Sequence, residues 1–295
     1  MELHCLAREF AVPGVIDFAE ASGQQMVTLR HEQASVTLFL QGAQVTSYQP
    51  SPDRELLWLS DLARYEPEVA IRGGIPICWP WFGAHPSQAD WPKHGYARTS
   101  MFDVTHTDAN EQGVEIILRL VSAPNLYSSQ YADLVLDVSI RLGAGLEVEL
   151  ITRNKGDSPA VVTAALHNYF QVSNIEQVSI PALQGKDYLD KLKDYERFTQ
   201  RGDLRFSSEV DRVFQAMDGS ISLDIVDPGR AENTQLSAWG VDNAVVWNPW
   251  REGAMQIGDF DHQGYETMVC VEPANALEDA VEIPSGGSHR MKQRL

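Results

Sequence analysis

The chain has 295 residues, 23 Lys and Arg against 41 Asp and Glu, and a formal net charge of −18. So acidic a chain repels nucleic acid and anionic membranes, which bind proteins largely through their phosphates, and we expect neither as a partner. A hydrophobic fraction of 43% is too high for a disordered chain and predicts a folded protein with a large core. An anionic ligand would therefore need a local basic pocket.

Targeting and redox signals favour an intracellular protein. The first ten residues, MELHCLAREF, contain no apolar stretch of signal-peptide length, and no run elsewhere reaches the length of a membrane span. The three cysteines, Cys5, Cys78 and Cys270, are far apart and form neither a CxxC pair nor a disulfide framework. We therefore expect reduced, mostly buried thiols and a cytoplasmic location.

The dominant hydrophobic period along the chain is two, which is typical of β-strands. Strand patterns occur, in chain order, in MVTLRHE, ASVTLFL, GVEIILRLV, LVLDVSIRL, LEVELITR, PAVVTAALHNYF, ISLDIVD, NAVVWNPW and TMVCVEP. Between the fourth and the fifth of these, the short segment GAG predicts a β-hairpin. Only KDYLDKLKDYERF, residues 186–198, has a pattern that favours a helix.

Many short strands with few helices predict an all-β fold, a sandwich or a barrel. Turn sequences such as SPDRE, RNKGDSP and VDPGR separate many of the strands. The length would allow two domains, but no linker, internal repeat or low-complexity segment divides the chain. We therefore predict one β domain spanning residues 1–295.

Two titratable residues stand out on apolar strand patterns. In VVTAALHNYF, alternation places His167 on one face with Ala165 and Tyr169, and the small neighbour leaves room beside the imidazole. In TMVCVEPAN, Glu272 ends an apolar strand, where burial would raise its pKa towards that of a general base. Taken alone, each pattern is more often structural. No nucleotide-binding, zinc-protease or serine-hydrolase motif is present, and the histidines lack metal-ligand spacing.

Positive charge gathers in DWPKHGYARTSMFDV, residues 90–104, which carries Lys93, His94 and Arg98. Arg72 precedes two glycines in IRGGIP, and glycine permits a close approach of the backbone. CWPWFG and VVWNPW supply aromatic side chains that either pack in a core or form flat walls against sugar rings. Each signal by itself is also typical of solvated charges or of core residues.

The combination is more specific than its parts. In this order, AIRGGIPICWPWFG, HGYARTSMFDV, AALHNYF, EVDRVF, VVWNPW and VCVEPAN resemble the glucose-6-phosphate 1-epimerases, the hexose-6-phosphate mutarotase branch of the aldose 1-epimerase superfamily. The resemblance covers nearly the whole chain. It implies a large antiparallel β-sandwich of the galactose-mutarotase type. It also implies an isomerase that interconverts the α and β anomers of a hexose 6-phosphate, with D-glucose 6-phosphate as the first candidate.

The same resemblance implies roles for two residues. His167 and Glu272 match the catalytic acid and base, which would open and close the sugar ring by proton transfer. Such chemistry needs no metal, nucleotide or redox centre, and we therefore expect no cofactor and no metal.

Five further residues are expected to bind substrate. By the resemblance, Arg72 and Arg98 match positions associated with the phosphate, and Asp211 in EVDRVF matches a further substrate contact. Lys93 stands where the relatives usually carry Gln, and its ammonium can also meet a phosphate. We place His94, in the same loop, in the substrate site as a supporting residue. A local clamp of this kind would hold an anion that the rest of the acidic chain repels.

Three alternatives stay open at the level of the sequence. A mutarotase of free aldoses is one, although the basic cluster argues against it. A non-catalytic sugar-phosphate-binding module would keep the arginines without needing His167 and Glu272. A glycoside hydrolase would use two carboxylates, such as Asp211 and Glu272. The sequence does not distinguish glucose, galactose and mannose 6-phosphate, and it does not determine the oligomeric state, for which we expect a monomer.

Overall fold

The computed structural model describes residues 1–120 and 127–295, and β-strands dominate them, which confirms the all-β class. The strands are β1 (Ile16–Ala21), β2 (Gln24–His31), β3 (Ala34–Phe39), β4 (Gln44–Gln49), β5 (Ile77–Cys78), β6 (Asp103–Asn110), β7 (Gly113–Leu120), β8 (Leu134–Leu142), β9 (Leu146–Asn154), β10 (Ala160–Val162), β11 (Ala164–Leu166), β12 (Tyr169–Gln171), β13 (Ser179–Ile180), β14 (Asp187–Asp190), β15 (Glu196–Thr199), β16 (Leu204–Arg205), β17 (Val210–Phe214), β18 (Ser220–Ile225), β19 (Thr234–Trp239), β20 (Asn243–Asn248), β21 (Met268–Asn275), β22 (Val281–Ile283) and β23 (Ser288–Arg294). The α-helices are short: α1 (Leu3–Phe10), α2 (Ser128–Tyr131) and α3 (Trp250–Ala254). Within the described ranges, no helix has both the length and the apolar character needed to cross a bilayer.

One antiparallel sheet contains the predicted hairpin. Its seven described strands follow the order β18-β19-β23-β9-β8-β7-β6. In the hairpin β8–β9, Leu142 pairs with Leu146 across the GAG turn, as predicted. Every second residue of β9 is buried, because a strand sends alternate side chains to opposite faces. A four-stranded sheet, β1-β2-β3-β4, packs on this sheet through β2 and β3.

A second large sheet, 8-stranded in the described residues, runs in the order β15-β14-β17-β20-β21-β11-β5, with β12 also paired to β21. Residues 186–198, predicted as a helix, form β14, a 3-10 turn and β15 instead. The helix prediction was wrong because Tyr188 and Phe198 pair across this hairpin, with ring centroids 5.8 Å apart. Such cross-strand contacts outweigh a local helical pattern. Asp194, with φ of 50°, turns the chain back.

The two large sheets share a core whose buried residues extend from Leu6 to Met291. A buried pair of amides joins them, because Asn168 and Gln293 donate to each other's side-chain oxygens at 2.8 Å. Both amides are fully buried, and each partner satisfies a group that would otherwise cost about 1–3 kcal/mol. The architecture is the predicted large antiparallel sandwich. The cysteines are unbridged as predicted, and two of the three are buried.

Candidate active site

The candidate site occupies one face of the 8-stranded sheet, where four neighbouring strands present polar and aromatic side chains. Strand register places one row of residues across β17, β20, β21 and β12: Asp211, Trp247, Cys270 and Tyr169. Two residues further along the strands, a second row crosses β17, β20 and β21: Val213, Val245 and Glu272. His167 precedes Tyr169 by two residues and therefore continues the second row beside Glu272.

His167 and Glu272 form a close pair, which we call the His–Glu pair. Nε2 of His167 lies 3.5 Å from Oε1 of Glu272, and the two residues are only 9% and 1% exposed. The other nitrogen of His167 and the other oxygen of Glu272 have no hydrogen-bond partner in the described structure. The imidazole stacks on Tyr169, with ring centroids 4.8 Å apart. Buried polar atoms without partners reduce stability, so this arrangement is better suited to receiving a ligand than to holding the fold.

The backbone around the His–Glu pair departs from the continuous strand predicted for residues 159–170. That segment forms β10, β11 and β12, and the chain breaks pairing at His167 and Asn168. The Asn168 side chain donates to the carbonyl oxygen of Val271 at 3.0 Å and to Gln293 at 2.8 Å. Because Val271 directly precedes Glu272, this amide ties the backbones of both members of the pair together.

Burial perturbs both groups of the pair. It lowers the pKa of His167 well below the usual 6.5, and the charges of Arg98 and Arg72 lower it further. Burial also raises the pKa of Glu272 well above 4.5, and the charge of Asp211 adds to that rise. Burial therefore favours a neutral imidazole beside a protonated carboxyl. A pair that holds one proton has one group able to donate and one able to accept, which is what concerted acid–base catalysis requires.

The basic stretch predicted from the sequence is a loop between β5 and β6 that lines the same cleft. The backbone N–H of His94 donates to the Gly83 carbonyl oxygen at 2.7 Å, and the ring Nδ1 of His94 accepts from the Gly83 backbone N–H at 3.3 Å. Burial and the charge of Arg98 lower the pKa of His94, which keeps this ring neutral and able to accept. Gly95 has φ of 72°, and a Cβ there would overlap a backbone carbonyl oxygen. Arg98 donates to the Lys93 carbonyl oxygen at 2.8 Å, which folds the loop upon itself.

Arg72 reaches the cleft from the IRGGIP segment. Its Nε and Nη2 each lie 3.1 Å from Oδ1 of Asp259, and its Nη1 donates to the Tyr169 hydroxyl at 3.1 Å. Gly73 and Gly74 do permit a close approach, but the approach is to neighbouring backbone within the fold. A Cβ on either glycine would overlap a carbonyl oxygen. These glycines therefore hold the segment in place and leave Arg72 facing the cleft.

A second ion pair lies on the β17 side of the cleft. Lys191, in the turn after β14, donates to Oδ2 of Asp211 at 2.6 Å. Burial raises the pKa of Asp211, and the Lys191 charge opposes that rise. Lys191 was not among the residues predicted from the sequence, because it lies in the segment predicted as a helix. No local pattern marks it, since its partner is 20 residues away on another strand.

All seven residues predicted from the sequence line one cleft of about 300 Å³: Arg72, Lys93, His94, Arg98, His167, Asp211 and Glu272. Six more residues line it that the sequence reasoning did not assign to the site: Phe82, Tyr169, Lys191, Val245, Trp247 and Ile257. The aromatic segments divide between wall and core. Trp247 of VVWNPW forms part of the cleft, whereas Trp79 and Trp81 of CWPWFG are 1% and 2% exposed and pack inside.

Comparison with known proteins identifies the family of this chain. The sequence model of the family described as Aldose 1-epimerase matches residues 25–295. The chain belongs to the aldose 1-epimerase family. This confirms the family resemblance read from the sequence motifs, and the fold type with it.

Individual relatives of this aldose epimerase carry narrower names. A protein of Cenchrus ciliaris, provisionally named glucose-6-phosphate 1-epimerase, is 36% identical over 282 residues, which are 91% of this chain and 83% of that protein. An Escherichia coli K12 protein with the same provisional name is 32% identical over 260 residues, covering 86% of this chain and 84% of the relative. A crystal structure of a provisionally named mutarotase from Salmonella typhimurium superimposes with a TM-score of 0.86 at 28% identity. That superposition covers 97% of this chain and 94% of the other.

One group at the cleft, made of two lining residues and the fully buried Cys270, has the donor chemistry of a metal site. His167, Cys270 and Glu272 each offer a ligand atom, and these three atoms lie within 4.8 Å of one another. Metal binding would require the Cys270 thiolate, but burial raises the pKa of this thiol well above 9.0, and the charge of Glu272 adds to that rise. We assign no metal to this group, and the expectation that the reaction needs none stays a prediction.

Proposed function

We propose that this aldose epimerase interconverts the α and β anomers of a hexose 6-phosphate, with D-glucose 6-phosphate as the first candidate. The observation that carries the proposal is the pairing of a buried His–Glu pair with uncompensated positive charge in one cleft. The provisional names of the plant and bacterial relatives support the same substrate class.

The charges of the cleft indicate where the phosphate binds. Two of its four basic side chains already have carboxylate partners, since Arg72 is paired with Asp259 and Lys191 with Asp211. Neither Lys93 nor Arg98 forms an ion pair with any carboxylate of the described residues. A phosphate dianion would match these two charges, and we call Lys93 and Arg98 the phosphate clamp. Arg72, predicted as a phosphate ligand, would then serve mainly to orient the sugar.

The His–Glu pair would open the ring by two simultaneous proton transfers. Glu272 as carboxylate takes the proton of the C1 hydroxyl while His167 as imidazolium gives a proton to the ring oxygen. The bond between C1 and the ring oxygen breaks, and the open-chain aldehyde forms. Rotation about the C1–C2 bond turns the other aldehyde face to the hydroxyl group. Closure then returns both protons by the reverse transfers, so no proton is gained or lost.

Substrate binding would change how tightly the pair holds its proton. The Arg98 charge is one of the causes that lower the pKa of His167. A phosphate bound to Arg98 neutralises that charge, so the pKa of His167 rises back towards its usual range. The Arg98 charge also lowers the pKa of Glu272, so its neutralisation raises both pKa values and the pair holds its one proton more tightly. A free sugar cannot produce this effect, so the phosphate would change the titration of the pair as well as add affinity.

Exchange spectroscopy by NMR tests the proposal directly, with glucose 6-phosphate and free glucose measured in parallel. We expect the protein to accelerate anomer exchange of the phosphosugar far more than that of glucose. His167→Asn and Glu272→Gln nearly keep side-chain shape and should each lose about 10²–10⁴-fold. The double variant should lose much less than the product of the two, because both groups act in one event. Equal acceleration of both sugars would point to a free-aldose mutarotase, and no acceleration of either would point to a binding module.

A further inference from the structure

Lys191 is the basic residue of the cleft that neither sequence motif nor family resemblance assigned. It follows β14 directly, and its ammonium lies 2.6 Å from Asp211 on the neighbouring strand β17. Its side chain remains 45% exposed while that of Asp211 is only 11% exposed. The ion pair therefore presents its ammonium to the cleft and its carboxylate to the sheet.

The position of this ion pair is set by the strand order. Asp211 lies on β17, two strands away from Glu272 on β21, with β20 between them. Neighbouring strands are ~4.8 Å apart, so Asp211 and Glu272 are separated by roughly 10 Å along the sheet. Trp247, on β20, covers the interval. A sugar ring whose C1 lies at the His–Glu pair and whose body covers Trp247 would extend its hydroxyl groups towards Lys191 and Asp211.

The chemistry of the pair suits hydroxyl groups better than phosphate. An ammonium has three N–H donors, and in the described structure Lys191 uses one of them, on Asp211. The second carboxylate oxygen of Asp211 stays available as an acceptor. Adjacent donors and acceptors fit adjacent sugar hydroxyls, which both donate and accept. A phosphate placed here would face the Asp211 carboxylate, whereas at the phosphate clamp it faces no ion-paired carboxylate.

We propose that Lys191 is a specificity-determining residue that, together with Asp211, recognises the hydroxyl pattern of the hexose ring. The proposal rests on the function proposed above, and it assigns the ring hydroxyl groups of the substrate to this end of the cleft. Hexose 6-phosphates that differ in the orientation of one hydroxyl would differ in whether they meet the ammonium. Selectivity among glucose, mannose and galactose 6-phosphates would then depend on Lys191, while selectivity for phosphate would depend on the clamp.

The chain offers a matched control two residues away. Lys193 lies in the same turn, but its ammonium packs over the Phe198 ring at 4.5 Å and it does not line the cleft. Lys191→Met and Lys193→Met remove the same charge from the same turn. We expect Lys191→Met to lose about 10- to 100-fold in kcat/KM for the preferred hexose 6-phosphate, as for a charge-assisted hydrogen bond. The ratio between the best and the worst epimer should fall towards one. Lys193→Met should change neither quantity by more than about twofold.

The pH dependence reports whether the Lys191 charge acts on the His–Glu pair, separately from epimer selectivity. The Lys191 charge lowers the pKa of Glu272 and that of Asp211 raises it. The alkaline limb of the kcat profile, where the pair loses its one proton, should move to higher pH in Lys191→Met and to lower pH in Asp211→Asn. Seven charged or titratable groups lie around Glu272: Lys191, Asp211, Arg98, His167, Cys78, Cys270 and Tyr169. The two variants alter only Lys191 and Asp211.

The outcomes separate this proposal from the one on which it rests. If the parent protein fails to exchange any hexose 6-phosphate, the proposed function is wrong, and the proposal about Lys191, which rests on it, fails with it. If the parent is active but does not discriminate among epimers, or Lys191→Met keeps the parent's discrimination, the proposal about Lys191 is overturned. It is also overturned if inorganic phosphate inhibits Lys191→Met much more weakly than the parent, because Lys191 would then belong to the clamp.

Discussion

Replacing Arg98 by Ala should separate phosphate recognition from proton transfer. Arg98 has no carboxylate partner within the described residues, and its contact inside the loop is one hydrogen bond to the Lys93 carbonyl oxygen. Its guanidinium is therefore available to a phosphate. A charge-assisted hydrogen bond contributes about 1.5–3 kcal/mol, which corresponds to roughly a 10- to 100-fold loss in kcat/KM. Loss of the hydrogen bond to the Lys93 carbonyl oxygen also loosens the second clamp residue, so we expect the loss in kcat/KM to lie near the upper end of this range.

The assay compares anomer exchange of glucose 6-phosphate and of free glucose in the parent and in Arg98→Ala. Free glucose never contacts the clamp, so Arg98→Ala should not slow its turnover; loss of the Arg98 charge raises the pKa of His167 and of Glu272 for both sugars alike. Arg98→Lys should lie between parent and Arg98→Ala, because an ammonium keeps the charge but not the planar fork of donors. Lys93→Gln should have a smaller effect than Arg98→Ala. Inorganic phosphate should compete with glucose 6-phosphate in the parent and compete less in Arg98→Ala.

Arg290→Ala controls for the change in net charge. Arg290 lies on β23, its side chain is 60% exposed, and it pairs with Glu149 at 2.9 Å away from the cleft. Arg290→Ala should leave the anomer-exchange rates of both glucose 6-phosphate and free glucose unchanged. If Arg98→Ala slows free and phosphorylated glucose equally, the phosphate does not bind at the clamp, and the basic loop has a structural role.

Four other outcomes follow from the structure. Gln293→Leu leaves the Asn168 amide oxygen buried without its partner and should lower the free energy of unfolding by about 1–3 kcal/mol in a urea titration; an unchanged midpoint would contradict this. In the parent, burial raises the folded-state pKa of Glu272 above its usual 4.5, so the folded protein keeps this proton to a higher pH than the unfolded chain does. The free energy of unfolding therefore falls as pH rises from about 4.5 to the folded-state pKa. The melting temperature of Glu272→Gln relative to the parent should therefore increase with pH in that window, and a constant difference would argue against a buried neutral carboxyl. Gly95→Ala should reduce both stability and phosphosugar turnover, whereas Gly83→Ala, with a similar φ of 74° and open space around the new methyl, should cost only the strain of a left-handed residue. EDTA should leave anomer exchange unchanged, and a chelator-sensitive rate would reopen the question of a metal.

The sequence by itself determined the class of fold and most of the site. Alternation with period two is a local property of the chain, and it predicted the strands and the β8–β9 hairpin. Strand alternation marked His167 and Glu272 only as candidates, and the resemblance to the epimerase motifs implied their roles and those of the basic loop. The prediction failed at residues 186–198, which form the β14–β15 hairpin although their local pattern favours a helix, because side chains pack across the two strands.

Tertiary structure alone decided how these residues are paired and charged. Lys191 meets Asp211, Arg72 meets Asp259 and Asn168 meets Gln293 across 20, 187 and 125 residues of chain. A sequence pattern cannot predict contacts between residues so far apart along the chain, because only the order of the strands in the sheets brings these residues together. Burial is likewise a property of the assembled sheets, and burial is what lowers the pKa of a histidine and raises that of a glutamate. The sequence therefore named the candidate acid–base residues, while only the fold buries them and leaves Lys93 and Arg98 without a carboxylate partner among the described residues.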